Sequence, residues 1–87
     1  MPEIKVKVAS LVGLHARPAS QFVKAAAKHA GPVSIARPGA DPVDARSMLS
    51  VLSLAIGHGE EVVISADGDG ADATLAELAE LMSTVDS

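Results

Sequence analysis

The amino-acid sequence predicts an α+β fold in which one mostly antiparallel sheet is covered on one face by helices. Short segments alternate apolar and polar residues, which is typical of half-buried strands, and longer segments carry apolar residues at helical spacing. The resulting order is strand, helix, strand, strand, helix, strand, helix, or βαββαβα. Because the chain has 87 residues, we expect residues 1–87 to form a single domain.

The N-terminal third of the chain predicts a strand and then a helix. Apolar residues alternate with lysines at Ile4, Val6 and Val8, which predicts the strand. The helix follows Pro18, and Gly31-Pro32 should end it. Its apolar stripe comprises Ala19, Phe22, Val23, Ala26 and Ala30.

The middle of the chain predicts two more strands and a short helix. Residues 33–35 predict the second strand, and the turn-forming residues 37–42 separate it from a short third strand around Val43. Residues 47–55 are unusually apolar and predict a short helix. Because one short helix cannot turn all of these apolar residues inward, we expect some of them to be exposed.

The C-terminal third predicts the last strand and the last helix. Gly57-His58-Gly59 ends the short helix, and residues 60–66 predict a strand. The turn at residues 67–70 follows, with Asp69 or Asp72 available as a helix cap. The apolar positions of the final helix are Leu75, Leu78, Ala79, Met82 and Val85.

Composition excludes several classes of function. The net charge of −4 and the single aromatic residue argue against a nucleic-acid binder. Without cysteine, the chain has no disulfide or thiolate chemistry. No apolar run approaches the ~20 residues that span a bilayer, and no signal peptide is evident. We therefore expect a cytoplasmic protein that does not insert into membranes.

Metal and cofactor sites are not expected. His29 suits the C-terminal end of the first helix, where the dipole favours a cation, and His58 lies between glycines; neither forms an HxH or HExxH pair. The acidic stretch at residues 67–72 lacks the spacing of a calcium loop. We predict neither a bound metal nor a cofactor.

The sequence GLHARPAS, residues 13–20, combines three features that favour an anion site. Proline is tolerated in the first turn of a helix, so Pro18 places His15, Ala16 and Arg17 at or just before a helix N-terminus. Free N–H groups and the positive end of the dipole attract anions there. The planar guanidinium of Arg17 suits phosphate oxygens.

His15 adds a nucleophile to this arrangement. Unperturbed imidazole has a pKa of about 6.5, and a positive helix end disfavours the cationic ring. A neutral ring nitrogen could attack a phosphoryl group, and the helix would then stabilise the phosphohistidine. The competing interpretations are a simple surface or capping histidine and an α+β binding module for RNA or a small ligand. The lack of stacking aromatics argues against RNA.

GLHARPA closely resembles the phosphorylation-site motif of the HPr family, the histidine-containing phosphocarriers of the bacterial sugar phosphotransferase system. Residues 46–65, RSMLSVLSLAIGHGEEVVIS, resemble the regulatory region of that family. The resemblance extends over essentially the whole chain. It implies an open-faced β-sandwich with four antiparallel strands and three helices on one face.

The resemblance also implies roles for individual residues. His15 matches the phosphorylated histidine, which accepts through Nδ1, and Arg17 matches the arginine that attends the phosphate. The backbone N–H groups of Ala16 and Arg17 are candidates to donate hydrogen bonds to the phosphate. The donor protein would be phosphorylated Enzyme I, and the acceptors would be sugar-specific IIA domains. The protein would then be a phosphocarrier, not an enzyme.

The short helix carries a second set of implied roles. Ser47 matches a serine that a dedicated kinase, HPr kinase/phosphorylase, phosphorylates in many Gram-positive members; it is also a good helix cap. The partner face implied by the resemblance consists of Ser20, Gln21, Lys24, Met48, Leu49 and Leu52, although these apolar residues would suit a core as well.

Two further points concern the relay and the oligomeric state. The motif does not distinguish sugar uptake from a nitrogen-regulatory or dihydroxyacetone-kinase relay. We expect a monomer, because transfer to successive partners favours small, reversible interfaces.

Overall fold

The computed structural model describes residues 2–8, 16–57 and 59–83 of the chain. In these residues, four strands and three helices follow the predicted order βαββαβα. The strands are β1 (Glu3–Lys7), β2 (Val33–Ala36), β3 (Val43–Asp44) and β4 (Glu61–Ala66). The helices are α1 (Ala16–Ala27), α2 (Met48–Ser53) and α3 (Ala71–Ser83).

The four strands form one open sheet in the order β1-β4-β2-β3, and every neighbouring pair is antiparallel. Ile64 of β4 lies opposite Ile4 of β1 on one side and Ile35 of β2 on the other. Because β4 pairs on both sides, it forms the middle of the sheet with β2. The predicted antiparallel sheet is therefore confirmed.

Alternation along the strands gives the sheet an apolar face and a solvent face. In β1 the apolar side chains are half-buried and the charged ones, Glu3, Lys5 and Lys7, are exposed. In β4, Val62, Ile64 and Ala66 are fully buried while the residues between them are half-buried. This is the period-two pattern that predicted half-buried strands.

The core lies between the apolar face of the sheet and the helices. Phe22 of α1 and Leu78 of α3 are at most 1% exposed and belong to one cluster with Ile35 and Ile64 of the sheet. Ala79, by contrast, is only half-buried, and Val85 lies outside the described residues. Helices α1 and α3 pack against each other, and α3 also contacts β1 and β4.

Helix α1 ends three residues earlier than predicted, at Ala27. The N–H groups of Lys28 and His29 bond the carbonyls three residues back, which tightens the last turn into a 3₁₀-type geometry. The predicted stripe residue Ala30 is consequently exposed. The turn also directs the side chain of His29 into the protein.

His29 is buried and ties α1 to a distant part of the chain. Its Nε2 donates to the carbonyl of Asp67, and its Nδ1 lies 2.8 Å from Thr74 Oγ1 in α3. Beside it, Gly31 approaches Asp67 so closely that any Cβ would collide with the Asp67 carbonyl. His29 thus has long-range hydrogen-bond partners that its position in the sequence did not predict.

The residue before helix α3 is Gly70, not one of the two aspartates that the sequence suggested as a cap. Gly70 has φ +80°, and its carbonyl accepts from the N–H of Thr74. Asp72 lies in the first turn, where its charge complements the helix dipole. Within the described ranges, no helix is long and apolar enough to cross a membrane.

Candidate functional site

The N-terminus of α1 is the candidate anion site. The helix begins at Ala16, so His15 is the residue immediately before it in the sequence. His15 itself and the side chains of Ala16 and Arg17 lie outside the described residues. The backbone N–H groups of the first helical residues have no partner within a helix, so Ala16 and Arg17 are placed as potential donors to an anion.

Two properties of α1 make its N-terminus suitable for a negative group. The first turn contains no acidic residue, so no carboxylate of that turn neutralises the positive end of the dipole. The helix is also firmly anchored, because Ala19 and Phe22 are at most 1% exposed. An anion held by the first turn would therefore be fixed relative to the sheet.

Helices α1 and α2 are in contact, and together they expose a mixed surface. On α1, Gln21 and Lys24 are exposed and Ser20 is half-buried. On α2, the apolar side chains divide as the helical period requires. Val51 is fully buried and Met48 is half-buried, whereas Leu49 is 81% exposed and Leu52 is 37% exposed. The predicted exposure of part of this apolar helix is therefore confirmed.

Ser47 is the N-cap of α2, as its sequence position suggested. Its backbone is extended, with φ −104° and ψ 114°, and its Oγ accepts from the Ser50 N–H at 3.3 Å. The preceding turn is held by Asp44, whose Oδ1 accepts from the N–H and Nε of Arg46. These hydrogen bonds, the backbone one first, lower the pKa of the Asp44 carboxyl.

Replacing Ser47 with alanine should lower the free energy of unfolding by about 1 kcal/mol, because the Ser50 N–H loses its capping acceptor. Urea denaturation followed by circular dichroism measures this change. Ser53→Ala is the matched control in the same helix; it removes an exposed hydrogen bond to the Ser50 carbonyl and should change stability by less than about 0.5 kcal/mol. Equal losses in both variants would contradict the capping role.

A side-chain cluster that the sequence analysis did not identify holds the loop between α2 and β4. Arg37 donates from Nε to Glu60 Oε1 at 3.0 Å and from a terminal nitrogen to the Ala55 carbonyl at 3.2 Å. Glu60 Oε2 also accepts from the Gly57 N–H. Arg37 and Glu60 are 23 residues apart, and no local motif connects them.

The charge of Glu60 is stabilised by this cluster. The hydrogen bond from Arg37, followed by that from the Gly57 N–H, holds the pKa of the Glu60 carboxyl below its usual range. Because the folded-state pKa is lowered, this contribution to stability is present above the pKa of the unfolded chain. It is lost as the pH falls through the folded-state pKa.

Among the residues that the structure describes, no group of three or more His, Asp or Glu side chains could hold a metal ion. His58, for which the sequence predicts no role as a metal ligand, lies outside those residues.

Comparison with known proteins gives consistent similarities over most of the chain. Residues 2–84 match the family model described as "PTS HPr component phosphorylation site". The chain is 50% identical over 82 residues to "Phosphocarrier protein HPr" of Streptomyces coelicolor, covering 94% of this chain and 88% of the relative.

The fold is similar to solved structures. The crystal structure of a phosphocarrier protein HPr from Bacillus anthracis superposes with a TM-score of 0.86 at 34% identity, covering 93% of this chain and 95% of that one. The crystal structure of an HPr dimer from Thermoanaerobacter tengcongensis gives a TM-score of 0.65, also at 34% identity, covering 92% of this chain and 94% of that one.

Proposed function

Because the chain belongs to the HPr family of phosphocarrier proteins, we propose that it accepts a phosphoryl group on His15 from phosphorylated Enzyme I. It then passes the group to sugar-specific IIA domains. Membership in this family makes the protein a phosphotransfer carrier rather than an enzyme. The observation that carries the proposal is that α1 begins at Ala16, directly after the histidine of the GLHARPA motif.

The chemistry of uptake follows from the start of α1. The lone pair of a neutral His15 ring nitrogen attacks phosphorus, a new N–P bond forms, and the bond from phosphorus to the donor breaks with its electron pair leaving on the donor. The new phosphoryl group carries negative charge. The backbone N–H groups of Ala16 and Arg17 and the Arg17 guanidinium are the proposed donors that stabilise it.

The exposed surface of α1 and α2 supports a role in binding both partners. We assign this role to Ser20, Gln21, Lys24, Met48, Leu49 and Leu52. Leu49 is the strongest support, since an 81% exposed leucine contributes little to the core and can be buried by a partner. Flexible Met and Leu side chains suit a surface that must bind several proteins in turn.

Three further parts of the proposal concern regulation and setting. Ser47 is proposed as a regulatory phosphorylation site for HPr kinase/phosphorylase, supported by its position at the start of the helix that carries Leu49. We propose that phosphoryl transfer takes place in the cytoplasm. The protein is proposed to act as a monomer, because transient partners need α1 and α2 to be accessible.

Intact-mass spectrometry at neutral or basic pH tests the proposal. The protein is incubated with phosphoenolpyruvate and a cognate Enzyme I. We expect an acid-labile gain of about 80 Da, the mass of one phosphoryl group, as the acceptor chemistry requires. No gain in mass with an Enzyme I that phosphorylates a known HPr would overturn it.

Arg17→Lys should slow phosphoryl uptake roughly tenfold, equivalent to about 1.4 kcal/mol, because the point charge remains but the planar fork is lost. Quenched-flow measurement of the phosphorylated fraction gives the rate. Lys5→Arg, on the solvent face of β1, is a matched control that should leave the rate unchanged. Uptake by Arg17→Lys at the wild-type rate would show that the guanidinium geometry is not used.

A further inference from the structure

The Arg37 side chain spans the loop between α2 and β4 and contacts both of its ends. It bonds the Ala55 carbonyl at the start of the loop and the Glu60 carboxylate at its end. Glu60 in turn accepts from the Gly57 N–H inside the loop. The loop backbone needs such support, because Ala55 adopts φ +52°, a backbone conformation that residues other than glycine rarely take.

The same loop holds the end of the N-terminal strand segment. The Val8 N–H donates to the Glu60 carbonyl at 2.9 Å, and the Gly59 N–H donates to the Val8 carbonyl at 2.9 Å. Val8 is 2% exposed and belongs to the core. Glu60 is therefore bound to Arg37 through its side chain and to Val8 through its backbone.

Val8 is the last described residue before the segment that carries the phosphoacceptor. Residues 9–15 lead from Val8 to His15, and helix α1 begins at Ala16. The described residues on the two sides of this segment are held differently. On the C-terminal side, α1 packs into the core, whereas on the N-terminal side Val8 is held by the loop bonded to it.

We propose that Arg37 and Glu60 are positioning residues for the phosphoacceptor. They fix the α2–β4 loop, and the loop fixes Val8, the described residue that precedes the His15 segment in the sequence. This inference rests on the proposed function of His15. Both side chains of the ion pair are more than one-third exposed, so the pair adds little to global stability. Misplacing a reacting group slightly, in contrast, slows group transfer strongly.

Arg37→Gln and Glu60→Gln test the proposal, alone and combined, in the full-length protein. Hydrogen exchange of the Val8 and Gly59 amides reports on the anchor, and the NMR pH titration of the His15 ring reports on the surroundings of the acceptor. The uptake rate from phosphorylated Enzyme I reports on function. Glu77→Gln is the matched control, because it removes the exposed pair between Glu77 of α3 and Lys28, the residue that follows α1.

Each Gln variant should exchange both amides about tenfold faster, since the loop loses its clamp. Each should also change the midpoint of the NMR pH titration of the His15 ring. The rate of phosphoryl uptake should fall about tenfold, as expected for a misplaced reacting group. Their thermal midpoints should fall by no more than about 5 °C. The double variant should lose no more than either single one, because the two residues act as one pair. Glu77→Gln should leave all of these readouts at their wild-type values.

An unchanged His15 titration in both single variants would overturn the positioning role. So would the same changes in Glu77→Gln, because they would then reflect general loss of an ion pair. Failure of the proposed function is distinguishable: wild-type protein would take up no phosphoryl group. The titration and amide exchange would still decide whether Arg37 and Glu60 control the surroundings of His15.

Discussion

Replacing His15 with alanine is expected to abolish phosphoryl uptake completely and to leave the fold intact. The variant lacks the nucleophilic nitrogen, and the remaining groups at the start of α1 can bind an anion but cannot form a covalent bond to phosphorus. Residue 15 precedes the helix, and the core is built by later residues such as Ala19 and Phe22. Intact-mass spectrometry measures uptake, and circular dichroism with thermal unfolding measures the fold.

The two other histidines provide an internal control for this experiment. His29 and His58 are still present in the His15→Ala protein. An acid-labile phosphoryl group on that variant would place the acceptor on one of them and contradict the assignment. His29 is a poor alternative, because it is buried with both ring nitrogens next to protein oxygen atoms.

Phe22→Ala should lower the free energy of unfolding by about 3–5 kcal/mol, the range for truncating a buried aromatic residue. Phe22 is the single aromatic residue of the chain and is 1% exposed. It belongs to α1 and to the core cluster that includes residues of the sheet. Domains of this size are stable by only about 5–15 kcal/mol, so one substitution removes a large share. Urea unfolding should show a lower midpoint with an unchanged slope.

Leu49→Ala is the matched control for the core substitution. It also truncates a large apolar side chain, but one that is 81% exposed, so stability should change by less than about 0.5 kcal/mol. If Leu49 belongs to the partner face, the variant should instead raise the KM for transfer from Enzyme I. A loss of stability equal to that of Phe22→Ala would show that Leu49 packs against the core.

Local patterns explain why most of the fold could be predicted. The alternation around Ile4 and the run of apolar residues at 62–64 mark strands whatever their partners are. The 37–42 turn correctly separated β2 from a β3 of only two residues. The end of α1 was predicted too late, because His29 turns inward to reach Asp67 and Thr74, which are 38 and 45 residues away.

The candidate site likewise has features that the local sequence predicts and one that it does not. The GLHARPA motif is contiguous, so residue types and the position of Pro18 were enough to predict a helix start there. The cap role of Ser47 is local as well and followed from its position before an apolar segment. The Arg37–Glu60 pair could not be predicted, because two charged residues 23 positions apart become partners only through the pairing of β2 with β4.

The position of β4 in the sheet has a consequence for synthesis of the protein on the ribosome. Strand β1 is made first, but its partner in the sheet is β4, which runs from Glu61 to Ala66. A nascent chain that ends before Glu61 therefore lacks the strand that pairs with β1, so the backbone of β1 has no neighbouring strand to bond. Contacts between segments so distant in sequence also slow folding. The carrier becomes competent only when nearly the whole chain has left the exit tunnel, and until then β1 is an unpaired strand open to chaperones or to aggregation.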